Sequence, residues 1–296
     1  MATAAVLASA LCSSHAALVT ALANSGTLLA NFDTATPGTA FGLVSVSGIA
    51  SGQVLTAIDY RPVDGALVGL GYNSATGNAG VYTINVATGL ATSINANTLS
   101  LGIGLAQLTA DFNPTANALR VVTSGASSNN FRIPTAGTGV LTTDTALNGI
   151  ANPSIVATAY SRNVPGGGAS GATTLYEISG TGNAIVNQGS IDFFTGSGTS
   201  PNTGTLTLGA GLTGLTGANI VDMDISSTSG SDAGTAFVST GIGFYALNLA
   251  TGVATLVGNT PFAITDFAVA PVPEPSSLAL VAVALAGAAG IRRRRA

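Results

Sequence analysis

Lysine and tryptophan are absent from this chain of 296 residues, and its one cysteine and one histidine, Cys12 and His15, lie at the extreme N-terminus. Residues 17 to 271 therefore hold neither residue. That excludes nucleophilic arrangements built on Ser-His-Asp or Cys-His, structural zinc and disulfide bonds. Stability over this span must come from packing and backbone pairing. Charge is scarce as well: eleven acids stand against four arginines (Arg61, Arg120, Arg132 and Arg162), a net charge of −7. Nucleic acid is excluded as a partner, because binding it requires a basic face that releases counterions. Gly166-Gly167-Gly168 has no following lysine and no strand-to-helix setting, so it reads as a flexible loop and not as a phosphate cradle.

What remains is apolar residues mixed with Gly, Thr, Ser and Asn. Apart from the C-terminal tail, no stretch approaches 18 consecutive apolar residues, the length expected of a membrane helix. Short runs of alternating β-branched residues, bounded by Gly, Asn and Ser, recur throughout, which predicts an all-β chain. Two internal repeats set its phase. Asp59-Tyr60-Arg61-Pro62-Val63-Asp64-Gly65-Ala66-Leu67 aligns without gaps on Asp111-Phe112-Asn113-Pro114-Thr115-Ala116-Asn117-Ala118-Leu119, and each reads as strand, tight turn, strand. Val81-Tyr82-Thr83-Ile84 with its Thr88-Gly89 turn returns as Phe244-Tyr245-Ala246-Leu247 with Thr251-Gly252, with a degenerate copy at Leu175-Tyr176-Glu177-Ile178. Units begin near residues 54, 106, 154 and 219. A fifth inner strand, residues 264 to 269, lacks partners after it, while residues 17 to 48 carry strands lacking an inner strand before them. Joining the two closes a ring without exposed edges. The expected fold is a five-bladed β-propeller closed by its N- and C-terminal strands, ahead of a two-sheet sandwich or a β-solenoid.

Both ends carry processing features. Residues 2 to 12 are small and apolar, and Ser14-His15-Ala16 places small residues at −3 and −1 of a cleavage site before Ala17, so residues 1–16 read as a signal peptide for the Sec translocon. No Lys or Arg precedes the apolar stretch, unlike the usual n-region. Leu11 before Cys12 is wrong for a lipoprotein site. At the other end, Val272-Pro273-Glu274-Pro275 precedes a charge-free run from Ser276 to Ile291 and then Arg292-Arg293-Arg294-Arg295. As a helix the run would span about 24 Å, slightly short of a bilayer core of about 30 Å, and the arginines would hold its end in the cytoplasm as a stop-transfer signal. This tail resembles the PEP-CTERM sorting signal of Gram-negative bacteria. The resemblance implies a transmembrane sorting helix over residues 272–296, cleavage near the motif by an exosortase-type membrane protease, and release to the cell surface or the medium. The domain organisation expected is thus 1–16, 17–271 and 272–296.

Phe32-Asp33, Pro37-Gly38, Ile58-Asp59-Tyr60-Arg61-Pro62, Asp111-Phe112-Asn113-Pro114, Leu119-Arg120-Val121-Val122 and Asn130-Phe131-Arg132 together resemble a bacterial exported family classed as a domain of unknown function. The likeness covers about residues 27 to 270. Ile133-Pro134-Thr135-Ala136-Gly137 departs from the Asn and Asp-Thr-Gly pattern usual there. The resemblance implies no activity, only a common pairing with surface sorting signals.

Candidate site residues fall into two sets. Asp59, Asp111 and Asp266 occupy equivalent places on three expected inner strands, with Asp224 as the fourth, and in a propeller these strands line the central channel. They either converge on a cation, for which calcium with its oxygen ligands is the candidate, or each accepts backbone N–H groups at a strand end. Asp222 and Asp224, at i and i+2, share one strand face. They are a metal or catalytic pair, or they serve turn and edge solvation, and the segment is no EF-hand because Ser227 stands where Gly is required. Arg61, Arg120 and Arg132 either fork onto the carboxylate of an anionic sugar or pair with neighbouring acids. Six tyrosines without tryptophan make a poor stacking platform for sugars.

No catalytic residue is assigned. The sequence predicts an exported, C-terminally sorted surface protein whose domain binds or organises exopolysaccharide in a biofilm matrix without turnover. A glycan hydrolase working with carboxylates alone, or a passive coat protein, are the competing readings.

Overall fold

The computed structural model describes residues 16–94, 99–104, 108–123, 128–135, 140–164, 173–191, 198–227 and 235–271. Residues 1–15, the Gly166 loop, the sorting motif, the apolar run and the arginine tail lie outside the described residues. No helix among the described residues is long and apolar enough to cross a membrane.

The described residues form 22 strands in five antiparallel sheets arranged as the blades of a propeller. The first blade takes β1 (Leu18–Ala23), β2 (Leu28–Asp33) and β3 (Thr36–Ser45). The second holds β4 (Val54–Arg61), β5 (Ala66–Asn73), β6 (Asn78–Ile84) and β7 (Ala91–Ser93), with β8 (Leu99–Ser100) beside β6. β9 (Leu108–Asn113), β10 (Ala118–Thr123), β11 (Asn130–Pro134) and β12 (Thr142–Thr143) make the third. In the fourth, β13 (Ile155–Tyr160), β14 (Thr174–Ser179) and β15 (Ala184–Ile191) precede the outer β16 (Gly198–Thr199) and β17 (Leu206–Gly211). The fifth is β18 (Asp222–Ser226), β19 (Thr235–Ser239), β20 (Gly243–Leu247) and β21 (Ala254–Asn259). The last strand, β22 (Ile264–Val269), returns to pair antiparallel with β1, Val19 opposite Val269 and Ala21 opposite Phe267. This clasp is the closure expected from the unpaired terminal segments, and it places the two ends of the ring in one sheet.

Local chemistry explains the hairpins. Gly65 and Asn117 take up the left-handed conformation (φ 68° and 46°) at matching points of the β4–β5 and β9–β10 turns, where residues with little or no steric cost at positive φ are needed. Gly89 and Gly252, both at φ 71°, end the two Thr-Gly turns. There the chain also crosses to the preceding blade: Ser47 N donates to Gly89 O, and Thr213 N to Gly252 O. One expected repeat is displaced. Leu175 to Ile178 lies on β14, the second strand of its blade, whereas Val81 to Ile84 and Phe244 to Leu247 lie on third strands. The Leu-Tyr-Glu-Ile pattern reports a strand, not its place in the blade.

Apolar clusters fill the junctions between blades. Ala57, Val68 and Leu70 meet Phe112, Leu119 and Val121 between the second and third blades. Phe244 packs edge-on against Phe32 and Phe267 and stacks on Phe237 where the fifth blade meets the first, with ring centroids 5.1 to 5.4 Å apart. The junction of the third and fourth blades is different. Its apolar cluster is small, built from Val122, Leu147, Ile155, Val186 and Leu206, because much of that space holds polar side chains.

Candidate functional site

An innermost propeller strand pairs on one side only, so its other edge presents amides to the axis that need acceptors. Aspartates of the neighbouring blade supply them. Asp59 Oδ2 on β4 accepts from Phe112 N on β9 at 2.7 Å, and Asp111 Oδ1 on β9 accepts from Tyr160 N on β13 at 3.0 Å. Asp222 Oδ2 and Asp224 Oδ2 on β18 accept from Phe267 N and Val269 N on β22, at 3.0 and 2.6 Å. Asp266 Oδ1 on β22 accepts from Ile58 N on β4 at 2.7 Å. Four of the five junctions are thus tied by a carboxylate.

Among the described residues no carboxylate ties the fifth junction in this way. Ala159 on β13 occupies the position of Asp59 and Asp111, one residue before Tyr160 as they precede Tyr60 and Phe112. Ile225 N, which an acid at that position would meet, is bonded at 2.6 Å by Asp224 Oδ1 instead. Asp224 thereby serves both its own strand and the next blade.

All five acids are buried, at 2 to 3% exposure. Carboxylate oxygens of Asp59, Asp111 and Asp224 lie within 4.8 Å of one another. Burial, and then the nearby Asp224, push Asp59 well above the usual carboxylate range, against the pull of the Phe112 amide. Burial and the charges of Asp59 and Asp224 do the same to Asp111, and burial with Asp222 does so to Asp266. Burial raises Asp222 although the Phe267 amide opposes it. Asp224 is pushed up by burial to about 7 despite two amide bonds. Asp59 Oδ1 is buried with no donor in bonding geometry, and so is the hydroxyl of Thr109, which shares a face of β9 with Asp111.

Of the two expectations for Asp59, Asp111 and Asp266, the backbone cap is seen at all three, while the acids that come within 4.8 Å of one another are Asp59, Asp111 and Asp224. Turn and edge solvation for Asp222 and Asp224 is corrected. Both sit on the fully covered inner strand of the fifth blade, bonded across the junction and shielded from solvent.

The arginines separate. Arg61 is at the surface, forked onto Asp64 of its own turn, and its bonds hold Asp64 below the usual carboxylate range. It does not join the other two. Arg120, 1% exposed on β10, donates from Nε to Tyr160 Oη at 3.2 Å, from Nη1 to Asn130 and Asp144, and from Nη2 to Asn202 at 2.7 Å. Arg132 forks onto the same Asp144 at 2.6 and 2.8 Å. Burial alone would raise Asp144, but the bonds from Arg132 and Arg120 prevail and lower it. A cavity of about 200 Å³ adjoins this network, lined by Asn113, Arg120, Arg132, Tyr160 and Asn202.

Sequence reasoning missed Asp144, Tyr160, Asn202 and Glu177 as members of this junction. Tyr160 carried a signal, since it follows the inner-strand position as Tyr60 and Phe112 do. Asp144 and Asn202 carried none, because 24 and 82 residues separate them from Arg120. Glu177 is fully buried on β14 opposite Thr158, with neither carboxyl oxygen bonded. Burial pushes it up to about 8, only partly offset by Arg120.

A second cavity, of about 430 Å³, opens where four inner strands begin. Val54, Leu108, Val221 and Ile264 line it together with Tyr72 and Asp266. It is a largely apolar mouth with Asp266 in its wall.

Solved structures with related chain paths include the major allergen Mala s 1 of Malassezia sympodialis, at 9% identity over 78% of this chain and 72% of that one, with a TM-score of 0.46. AofleA from Arthrobotrys oligospora is similar at 13% identity over 86% and 74%, also with a TM-score of 0.46. A chain of the nidogen/laminin complex is similar at 10% identity over 88% and 99%, with a TM-score of 0.45. Such values say nothing about ligand or activity. No curated protein matches the sequence. Residues 271–295 match the PEP-CTERM protein-sorting motif, which marks an exported protein recognised by an exosortase at the membrane. Residues 28–268 match the domain of unknown function DUF4394, and the chain belongs to that family.

Proposed function

We propose that this protein is a non-enzymatic binding or structural component of the extracellular matrix, with exopolysaccharide as its ligand. In this reading residues 1–16 direct the chain to the Sec translocon, and the apolar run anchors it in the inner membrane. Cleavage near Val272-Pro273-Glu274-Pro275 then frees the propeller to the cell surface or the medium.

The observation supporting a binding module over an enzyme is where the acids are. A glycosidase of the usual kind needs two carboxyl groups about 5 to 10 Å apart, flanking a sugar bond in a site the substrate can enter. Here five aspartates are buried at the hub and tied to backbone amides. Among the described residues the other acids are engaged or enclosed as well. Asp33 accepts from Ala35 N, Asp64 from Arg61 and Asp144 from two arginines, while Glu177 is buried. The axial mouth and the neutral Gly, Thr, Ser and Asn surface are left for recognition.

Incubation with the host's exopolysaccharide, followed by an assay for new reducing ends, tests the distinction. Binding without release of ends is the expected result. Release of ends would overturn this reading in favour of the carboxylate-dependent hydrolase, and neither binding nor release would favour a coat protein.

A further inference from the structure

We propose that the axis of the propeller is a binding site for a hard divalent cation, calcium by preference, held by Asp59, Asp111 and Asp224. These three residues come from three different blades, and one oxygen of each lies within 4.8 Å of the others. One ion with bonds of about 2.4 Å to oxygen can span that separation.

Two further observations point to a missing ligand. Asp59 Oδ1 is buried and meets no donor in hydrogen-bonding geometry, although Oδ2 of the same group is bonded at 2.7 Å. Buried carboxylate oxygens without partners are costly. The Thr109 hydroxyl, on the strand face of Asp111, is orphaned in the same way. Charge points in the same direction. Asp222 and Asp266 add two more acids to the surroundings, and among the described residues no arginine bonds any of the five. The buried Arg120 is engaged instead by Asp144, Tyr160, Asn130 and Asn202.

The donor set selects the ion. Carboxylate and hydroxyl oxygens without nitrogen or sulfur suit calcium, magnesium or manganese, and a cage built from protein oxygens suits calcium over magnesium, which keeps its waters. The cavity at the start of the inner strands is lined by Asp266, one of the surrounding acids. Bound at the axis, the ion would fasten three blades at the hub of a domain that has no disulfide to do so. This inference does not rest on the matrix reading.

The test uses the full chain in mild detergent, stripped with EDTA. Calorimetric titration with calcium chloride should give saturable binding of one ion per chain, and 1 mM calcium should raise Tm by about 5 °C or more. Asp59→Asn should weaken calcium binding at least tenfold, while Asp64→Asn, at the surface, should leave it unchanged. Should Asp59→Asn fail to fold, metal analysis of calcium-loaded, gel-filtered wild-type protein decides: one retained calcium supports the site. No heat, no retained metal and no Tm change with calcium, magnesium or manganese would overturn it, as would a folded Asp59→Asn protein that binds calcium as the wild type does.

Discussion

Asp59 Oδ2 accepts a hydrogen bond from Phe112 N at 2.7 Å across 53 residues of chain, joining the innermost strands of consecutive blades. The contact turns a sequence repeat into a structural one, because Phe112 directly follows Asp111, the acid that repeats Asp59. Asp111 in turn captures the amide of Tyr160 in the next blade. The second blade thus caps the third and the third caps the fourth. Asn and Ala at position 59 separate the bond from the charge, since Asn keeps an acceptor and Ala does not. Urea unfolding in EDTA should find Asp59→Asn more stable than Asp59→Ala by about 1–3 kcal/mol, the cost of a buried amide left unpaired. Equal stabilities would mean that the bond contributes nothing.

Arg120 organises the one junction where polar groups displace the apolar core. Replacing it with Met removes four donated bonds, leaving Tyr160, Asn130 and Asn202 without their buried donor and Asp144 with Arg132 alone. A loss of about 3–5 kcal/mol is expected, as for breaking a buried ion pair. Arg61→Met breaks only an exposed pair with Asp64 and should cost no more than about 1 kcal/mol. Chemical denaturation of both variants checks the contrast.

Glu177 gives the domain a pH dependence of unusual sign. Its folded-state pKa is raised to about 8 by burial, so the folded chain keeps a proton that the unfolded chain releases near pH 4.5. Its stabilising contribution is full below that value, declines as pH rises and is gone above about 8. The change amounts to roughly 5 kcal/mol at most. Glu177→Gln should flatten the fall in Tm between pH 5 and pH 8.5. An identical pH profile in the variant would show that Glu177 is not the titrating group.

Gly89 and Gly252 hold equivalent turns against the preceding blade. At φ 71°, an added Cβ would stand 2.1 Å from Ser45 O at one and 2.0 Å from Gly211 O at the other. Either Ala variant should lose well over the ~1 kcal/mol of a left-handed alanine, because the opposing atoms are backbone and cannot move independently. Gly65→Ala, where nothing lies within 4 Å, should cost only about 1 kcal/mol. Thermal unfolding of the three variants measures the difference.

The blade phase was legible in the sequence because it is written in local chemistry. The Asp-aromatic-x-Pro turns and the Thr-Gly turns fix strand pairs, and the unpartnered run from Ile264 to Val269 announced the closing strand. Leu175 to Ile178 misled because a short apolar strand with a tyrosine looks alike in second and third position. The convergence of the acids was legible for the same reason that the blades were: equivalent positions on inner strands meet at the axis. The Arg120 network was not, because Asp144 and Asn202 lie outside the strands and their approach depends on the whole ring. Ala159, the break in the acidic pattern, was visible only once its neighbour Tyr160 was aligned with Tyr60 and Phe112.

The central claim is that this propeller binds exopolysaccharide. Cosedimentation of purified residues 17 to 271, the span that contains every strand of the ring, with exopolysaccharide from the producing organism tests it most directly. The account predicts saturable binding, with protein moving to the pellet in proportion to polymer until a plateau. Protein left in the supernatant at every polymer concentration would contradict it.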